Sequence, residues 1–355
     1  MPETVLITGA GGFIGGRIAE VIHCSGQMRV RAAVRRWSSA ARIGRFDMEI
    51  VQSDVMNPVS IAEAMKGVDL VVNCAWGSGE VNRGGTRQVL EAAKQAGVKR
   101  VVHMSTVSVY GNRNGPVDES VAIAHSGNEY GDSKIDTEAI CWEYAQLGLE
   151  VVVLRPTVVY GPFSENWTVE FVQRMASGQW MMPREYCEGI ANLVYVDDVV
   201  GAVIRGLRSV TGANEAYNVN GPELDITWNR YFDALNAALD LPPLKPAGRA
   251  TARMASTVMQ PVRTGAKMLL RRFEAPILEL YKKNALAKAA MKLAESAIRK
   301  TPTLAEYALY SRTDSYPTSK AERLLGYKPA FEMADGVALS AAWARHHRYV
   351  LLAGV

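Results

Sequence analysis

The stretch "TVLITGAGGFIGGRIAEVIHCSG", Thr4 to Gly26, joins an apolar run to a helical one through a cluster of glycines. "TVLIT" has an apolar, β-branched-rich centre, as expected of a strand buried on both faces. "FIGGRIAEVIHCS" carries apolar residues at helical spacing and stops at Gly26. Between them Gly9, Gly12 and Gly15 form a GxxGxxG pattern. Glycine lets the backbone turn tightly and lets a pyrophosphate approach closely. A helix N-terminus adds free N–H groups and a partial positive charge aimed at that anion. Glycine clusters also build ordinary turns, but the order strand, glycines, helix selects a nucleotide-binding loop.

The pattern repeats outward from this start. "RVRAAVR", "MEIVQSD", "VDLVVNCA", "KRVVHMST" and "LEVVVLRP" read as strands. "NPVSIAEAMKG", "NRGGTRQVLEAAKQAG" and "EYGDSKIDTEAICWEYAQLG" between them read as helices. Short-spaced alternation of this kind implies an α/β fold, a doubly wound parallel sheet with helices on both faces. After Gly161 the rhythm loosens. We expect a dinucleotide-binding domain over residues 1–165, with segments near 190–222 returning to it. A smaller, mainly helical C-terminal substrate lobe is expected from 166–189 and 223–330, and a terminal helix over 331–355.

The chain has 355 residues and a formal charge of +4, which gives no reason to expect nucleic acid. The charge is concentrated in 245–300, where thirteen Lys and Arg stand against three Glu. This basic, helically periodic stretch is either a peripheral contact for anionic membrane or a pair of solvated helices. The four cysteines, Cys24, Cys74, Cys141 and Cys187, show no CxxC pairing. They are expected to be buried, reduced thiols, and no metal site is expected. The opening residues lack a signal-peptide pattern, and no apolar run is long enough to span a bilayer. The expected location is cytoplasmic.

Two further strand ends face the same way. An acidic residue after the second strand would favour a free ribose hydroxyl, as in NAD. Arg35 and Arg36 stand there instead. A guanidinium pairs with a 2′-phosphate, which favours NADP; the alternative is that it stacks on adenine or faces solvent. Asp54, followed by Val55, closes the next strand. Its carboxylate either accepts a hydrogen bond from the adenine amino group or caps the helix after Pro58.

"NEYGDSK" places Tyr130 four residues before Lys134, on one face of a helix. A phenol normally titrates near 10, so it exchanges protons slowly at neutral pH. A neighbouring ammonium stabilises the phenolate and is expected to lower that value. Thr106 leaves a strand end, where its hydroxyl can polarise a substrate oxygen; Ser105 and Ser108 compete for the role.

In order, the glycine loop, "NCA" (Asn73 to Ala75), "MSTVSVYG", "YGDSK", "LRPTVVYGP" and "YVDDV" resemble the extended short-chain dehydrogenase/reductases, the NAD-dependent epimerase/dehydratase group. The resemblance implies a Rossmann fold and a catalytic set of Thr106, Tyr130 and Lys134. It implies cofactor contacts at Gly9, Gly12, Phe13, Ile14, Gly15, Val55, Cys74, Ala75, Tyr130, Lys134 and Pro156, in addition to Arg35 and Asp54. It further implies a homodimer paired through the helices after Asn82 and around Tyr130.

Departures narrow the reaction. Dehydratases in the group carry an Asp-Glu pair after the catalytic hydroxyl, and here Val107 and Ser108 follow Thr106. Neither supplies the acid and base that water elimination needs. Val158 stands where many nucleotide-sugar enzymes have asparagine. The favoured reading is an NAD(P)-dependent oxidoreductase, NADP before NAD, acting on a small-molecule secondary alcohol or ketone. A nucleotide-sugar epimerase that retains NAD is the alternative, and a non-catalytic dinucleotide sensor the third.

Overall fold

The computed structural model describes residues 2–178, 180–250, 253–254, 256–261, 265 and 302–350. Most of the basic stretch at 245–300 therefore lies outside the described residues. The described chain divides into two compact units, one of residues 1–164, 192–224 and 314–336, the other of 165–191, 225–313 and 337–355.

The first unit is built on strands β1 (Thr4–Thr8), β2 (Arg29–Val34), β3 (Glu49–Gln52), β4 (Leu70–Asn73), β5 (Arg100–Met104), β6 (Gly115–Pro116), β7 (Glu150–Pro156) and β8 (Val158–Tyr160). Its helices are α1 (Phe13–Ser25), α2 (Pro58–Ala64), α3 (Gly79–Gln95) and α4 (Glu129–Gln146). Later elements return to it as β10 (Leu193–Tyr195), helix Val196–Arg208 and β11 (Glu215–Val219). Seven strands form one sheet in the order β11-β7-β5-β4-β1-β2-β3, every pair parallel. From β1 the chain first winds through β2 to β3. It then crosses back to β4 and winds the other way, which makes the β1/β4 boundary a topological switch point.

The middle of the sheet is apolar, with Val5, Leu6, Ile7, Val71, Val72, Val101, Val102, Val151, Val152 and Val153 inaccessible to solvent. Each such side chain contributes about 1.5–3 kcal/mol by leaving water. On one face α3 and α4 cover the sheet through Val89, Leu90, Ala93, Ile140, Cys141 and Tyr144. Short bridges pair β8 with β10, and β6 with β13 (Asp314–Ser315). This last bridge draws 314–336 into the first unit, whereas sequence reading placed 314–330 in the smaller lobe. The partner segments are some 200 residues apart, and nothing local in either announces the pairing.

Two local expectations change. Helix α3 starts at Gly79, three residues before the expected Asn82, because the Ser78 side chain accepts from the Val81 amide and caps it there. Cys24 is exposed in the last turn of α1, against the expectation of four buried thiols; Cys74 is half-buried, and Cys141 and Cys187 are buried.

The second unit has an aromatic core. Phe171 and Trp180 each meet Phe232, at 4.9 and 5.0 Å between ring centroids, and Trp228 meets Tyr310 at 4.8 Å. Beside it the buried Arg174 pairs with Glu170 and Glu306. A two-residue bridge joins β9 (Met181–Met182) to β12 (Lys245–Pro246).

Candidate active site

The predicted site residues of the first unit gather at the carboxyl ends of its parallel strands. Gly9 follows β1 with φ +68°, a left-handed conformation that favours glycine. A Cβ there would stand 2.6 Å from the Cys74 carbonyl oxygen, so the ends of β1 and β4 are in direct contact. At Gly15 a Cβ would stand 2.5 Å from the Gly9 carbonyl oxygen, so α1 is seated against the loop. Gly12 opens α1 without a side-chain cap, and the first turn holds no acidic residue. The amides of Phe13, Ile14 and Gly15 have no acceptor among the described residues. Three free donors at a helix N-terminus, reached over a floor with no Cβ, fit the pyrophosphate of a dinucleotide.

Arg35 and Arg36, just beyond β2, are exposed, with no ion pair to either guanidinium among the described residues. The following turn runs against the loop, since a Cβ at Gly11 would meet Ser39 at 2.7 Å. Of the two roles open to Asp54, helix capping is excluded. Asn57 caps α2, accepting from Val59 and Ser60, and among the described residues the Asp54 carboxylate accepts only from the Met56 amide, at 3.0 Å. Val55 packs on α3 where a Cβ at Gly85 would meet it at 2.6 Å. Pro156 is buried at the end of β7.

Helix α4 carries Tyr130 and Lys134. Asn128 starts it by accepting from the amides of Tyr130 and Gly131 at 3.0 and 3.2 Å. Gly131 lets it approach the turn after β5, where any Cβ would stand 2.8 Å from the Ser108 carbonyl oxygen. That turn holds Thr106, 7 % exposed, whose hydroxyl accepts from the Ser108 amide and donates to the Ser108 hydroxyl, both at 3.2 Å. Ser105 faces away and donates to Glu138 at 2.5 Å, which removes it from competition with Thr106.

The expected acidification of Tyr130 is not found. Burial pushes its pKa up, and the opposing influence is a hydrogen bond with Thr106. The residue is nonetheless 41 % exposed. Lys134 is 5 % exposed and donates to the Met104 carbonyl oxygen at 2.7 Å. Burial pushes its pKa down to about 8, against the pull of Cys74, Cys141 and Glu138. Burial also pushes the Cys74 thiol up to about 12, so it stays neutral beside that ammonium.

Sequence reading missed two buried networks behind these groups. In the first, the Ala75 amide donates to the Thr8 hydroxyl at 3.2 Å, which donates to Asn73 Oδ1 at 2.7 Å. Asn73 Nδ2 lies 3.2 Å from His103 Nδ1, and His103 Nε2 lies 3.1 Å from the Thr137 hydroxyl. That hydroxyl donates to the Lys134 carbonyl oxygen at 2.9 Å. One assignment satisfies every link: His103 is neutral and protonated on Nε2. Its pKa is held well below the ordinary value by burial and by the Lys134 charge, which agrees. In the second, Glu138, fully buried one turn beyond Lys134, takes a forked pair of bonds from Arg155 at 2.9 and 2.5 Å. Arg155 also donates to the Tyr110 hydroxyl, which donates to Asn218.

The NAD dependent epimerase/dehydratase family model matches residues 5–220, which span the glycine loop, Thr106, Tyr130 and Lys134. The chain belongs to this family. It is thus an NAD(P)-dependent enzyme of the extended short-chain dehydrogenase/reductase type. Over 243 residues it is 30% identical to an N-acetyl-alpha-D-glucosaminyl-diphospho-ditrans,octacis-undecaprenol 4-epimerase of Escherichia coli O157:H7, covering 64% of this chain and 70% of the relative. It is 29% identical over 242 residues to sterol demethylase protein B of Methylococcus capsulatus, covering 63% and 71%. The structure of a UDP-glucuronic acid 4-epimerase from Bacillus cereus, solved with UDP-glucuronic acid and NAD, superposes with a TM-score of 0.71. That comparison covers 97% of this chain and 99% of the other at 18% identity, and it speaks for the fold alone. Among the described residues no group of three or more His, Cys, Asp or Glu is placed to hold a metal ion. No described helix is long and apolar enough to cross a membrane.

Proposed function

We propose that this chain reduces a ketone, and oxidises the corresponding secondary alcohol, with Tyr130 as the acid and base. The observation that carries the reading is the shared edge: three free amides of α1, the Thr106 and Tyr130 hydroxyls and the buried Lys134 ammonium all lie at the carboxyl ends of one parallel sheet. When bound, a nicotinamide coenzyme supplies hydride to the substrate carbon or takes it away. The amides of Phe13, Ile14 and Gly15 hold its pyrophosphate. Burial keeps the Tyr130 proton in place at neutral pH, so the phenol is ready to donate to a forming alkoxide. Thr106 holds the same substrate oxygen. One of the three N–H donors of Lys134 is fixed on Met104, which leaves two for the coenzyme ribose.

NADP is the proposed coenzyme, because Arg35 and Arg36 offer exposed guanidinium groups, with no ion pair among the described residues, at the ribose end. A second reading, sugar epimerisation with retained NAD, draws support from the Escherichia coli relative, named as a 4-epimerase. A homodimer and, through 245–300, contact with anionic membrane are further proposals that rest on the sequence alone.

The deciding experiment supplies NADPH or NADH with hydrophobic ketones and, separately, sugar nucleotides. Ketone-dependent oxidation of NADPH with free coenzyme exchange supports the reductase. Tightly retained NAD together with interconversion of sugar epimers, and no ketone turnover, would overturn it.

A further inference from the structure

We infer that Trp76 is a specificity-determining residue, and that its indole stacks on the ring of a cyclic substrate whose reacting carbon lies in or next to that ring. Trp76 follows the strand end that carries Cys74 and Ala75, and the residue is 67 % exposed. Single exposed apolar residues are common and need no explanation. This one differs in its tethering and its neighbour.

The Gly77 amide, next to Trp76, donates to Asn82 Oδ1 at 2.9 Å. Asn82 Nδ2 donates to the Ser133 hydroxyl at 3.0 Å, and that hydroxyl donates to the Tyr130 carbonyl oxygen at 2.9 Å. Asn82 and Ser133 are both buried. Three hydrogen bonds therefore tie the Trp76 loop to the first turn of the helix that bears Tyr130. The two rings meet edge to face, 6.4 Å between centroids and inclined at 71°. A substrate whose oxygen is held by Tyr130 and Thr106 lies beside the residue that the indole contacts.

A large, flat, apolar surface in that place discriminates by shape. A ring lays a face of C–H groups on it and desolvates both surfaces, whereas a flexible open chain covers less of it and loses conformational freedom in doing so. The inference rests on Tyr130 being the acid of the proposed reaction, and its test separates the two.

The test compares wild type, Trp76→Ala and Trp76→Phe, each loaded with NADPH, against cyclic ketones and open-chain ketones of equal carbon number. Trp76→Ala should cut the cyclic-over-acyclic preference in kcat/KM by roughly tenfold, about the size of one aromatic contact. The loss should appear as a higher KM for the cyclic ketones, and Trp76→Phe should restore most of the preference. An equal change for both ketone classes, or none, would overturn the inference. If neither class is turned over, the proposed reaction fails, and binding alone decides Trp76. Cyclic ligands should then quench tryptophan fluorescence in wild type and not in Trp76→Phe, and equal quenching in both would overturn the stacking role.

Discussion

The two halves of the site are built on opposite plans. At the β1–α1 edge the protein removes side chains and leaves three backbone donors without acceptors among the described residues. At the β5–α4 edge it buries polar side chains and gives them partners, from Ala75 through His103 to Lys134 and from Ser105 through Glu138 to Asn218. An open edge is a mould for an anion supplied from outside. A closed edge is held by the protein's own hydrogen bonds before any ligand arrives, which is what orienting an acid requires. Damage to the first should therefore appear as lost coenzyme affinity, and damage to the second as lost stability or turnover.

The largest effect is expected at Glu138. Glu138→Gln leaves the Arg155 guanidinium buried without its counter-charge, which costs about 3–5 kcal/mol in such pairs. Urea unfolding should show that loss, while the surviving folded protein keeps its coenzyme affinity within about twofold. Equal losses of stability and coenzyme affinity would break the comparison. Gly15→Ala is the opposite case. Its new Cβ meets the Gly9 carbonyl oxygen, and calorimetry should show coenzyme binding weakened roughly 100-fold, about 2.7 kcal/mol. The melting temperature should fall far less than in Glu138→Gln.

The pH profile comes next. The Lys134 pKa is depressed, so the folded protein loses this ammonium as pH rises through about 8, before an unfolded lysine would. In kcat/KM for ketone reduction an alkaline limb should appear near that pH, with activity about tenfold lower one unit above it. Lys134→Arg, which stays charged, should move the limb upward. For stability the sign is reversed: between that pH and the ordinary lysine value the unfolded chain binds more protons, so this group makes the fold more stable as pH rises. The smallest effect belongs to Arg35. Arg35→Ala should weaken NADPH about fivefold and leave NADH unchanged, as expected for an exposed charge pair worth about 1 kcal/mol.

What the sequence made legible was local. The glycine loop, the Tyr130–Lys134 spacing and the alternation of strands and helices each lie within a few residues, and each carries its physics on its face. The buried networks were invisible because most of their links join common residue types from 17 to 108 positions apart, as Glu138 is from Arg155 and Tyr110 from Asn218. Asp54 was a candidate cap in the sequence, and the hydrogen bonds give that role to Asn57 instead. The direction of the Tyr130 shift depended on burial, which no spacing rule reports. Trp76 could have been noticed as a large aromatic directly after "NCA", but its tie to Tyr130 runs through Asn82 and Ser133 and needs coordinates.

Tyr130→Phe tests the central claim most directly. The substitution removes one hydroxyl from the closed edge and leaves the open edge untouched. Measured side by side, coenzyme titration and ketone turnover should show NADPH bound as in wild type and turnover lower by at least about a thousandfold, the upper part of what a positioned general acid contributes. A phenylalanine variant that reduces the same ketone at the wild-type rate would contradict the account, as would one that no longer binds the coenzyme.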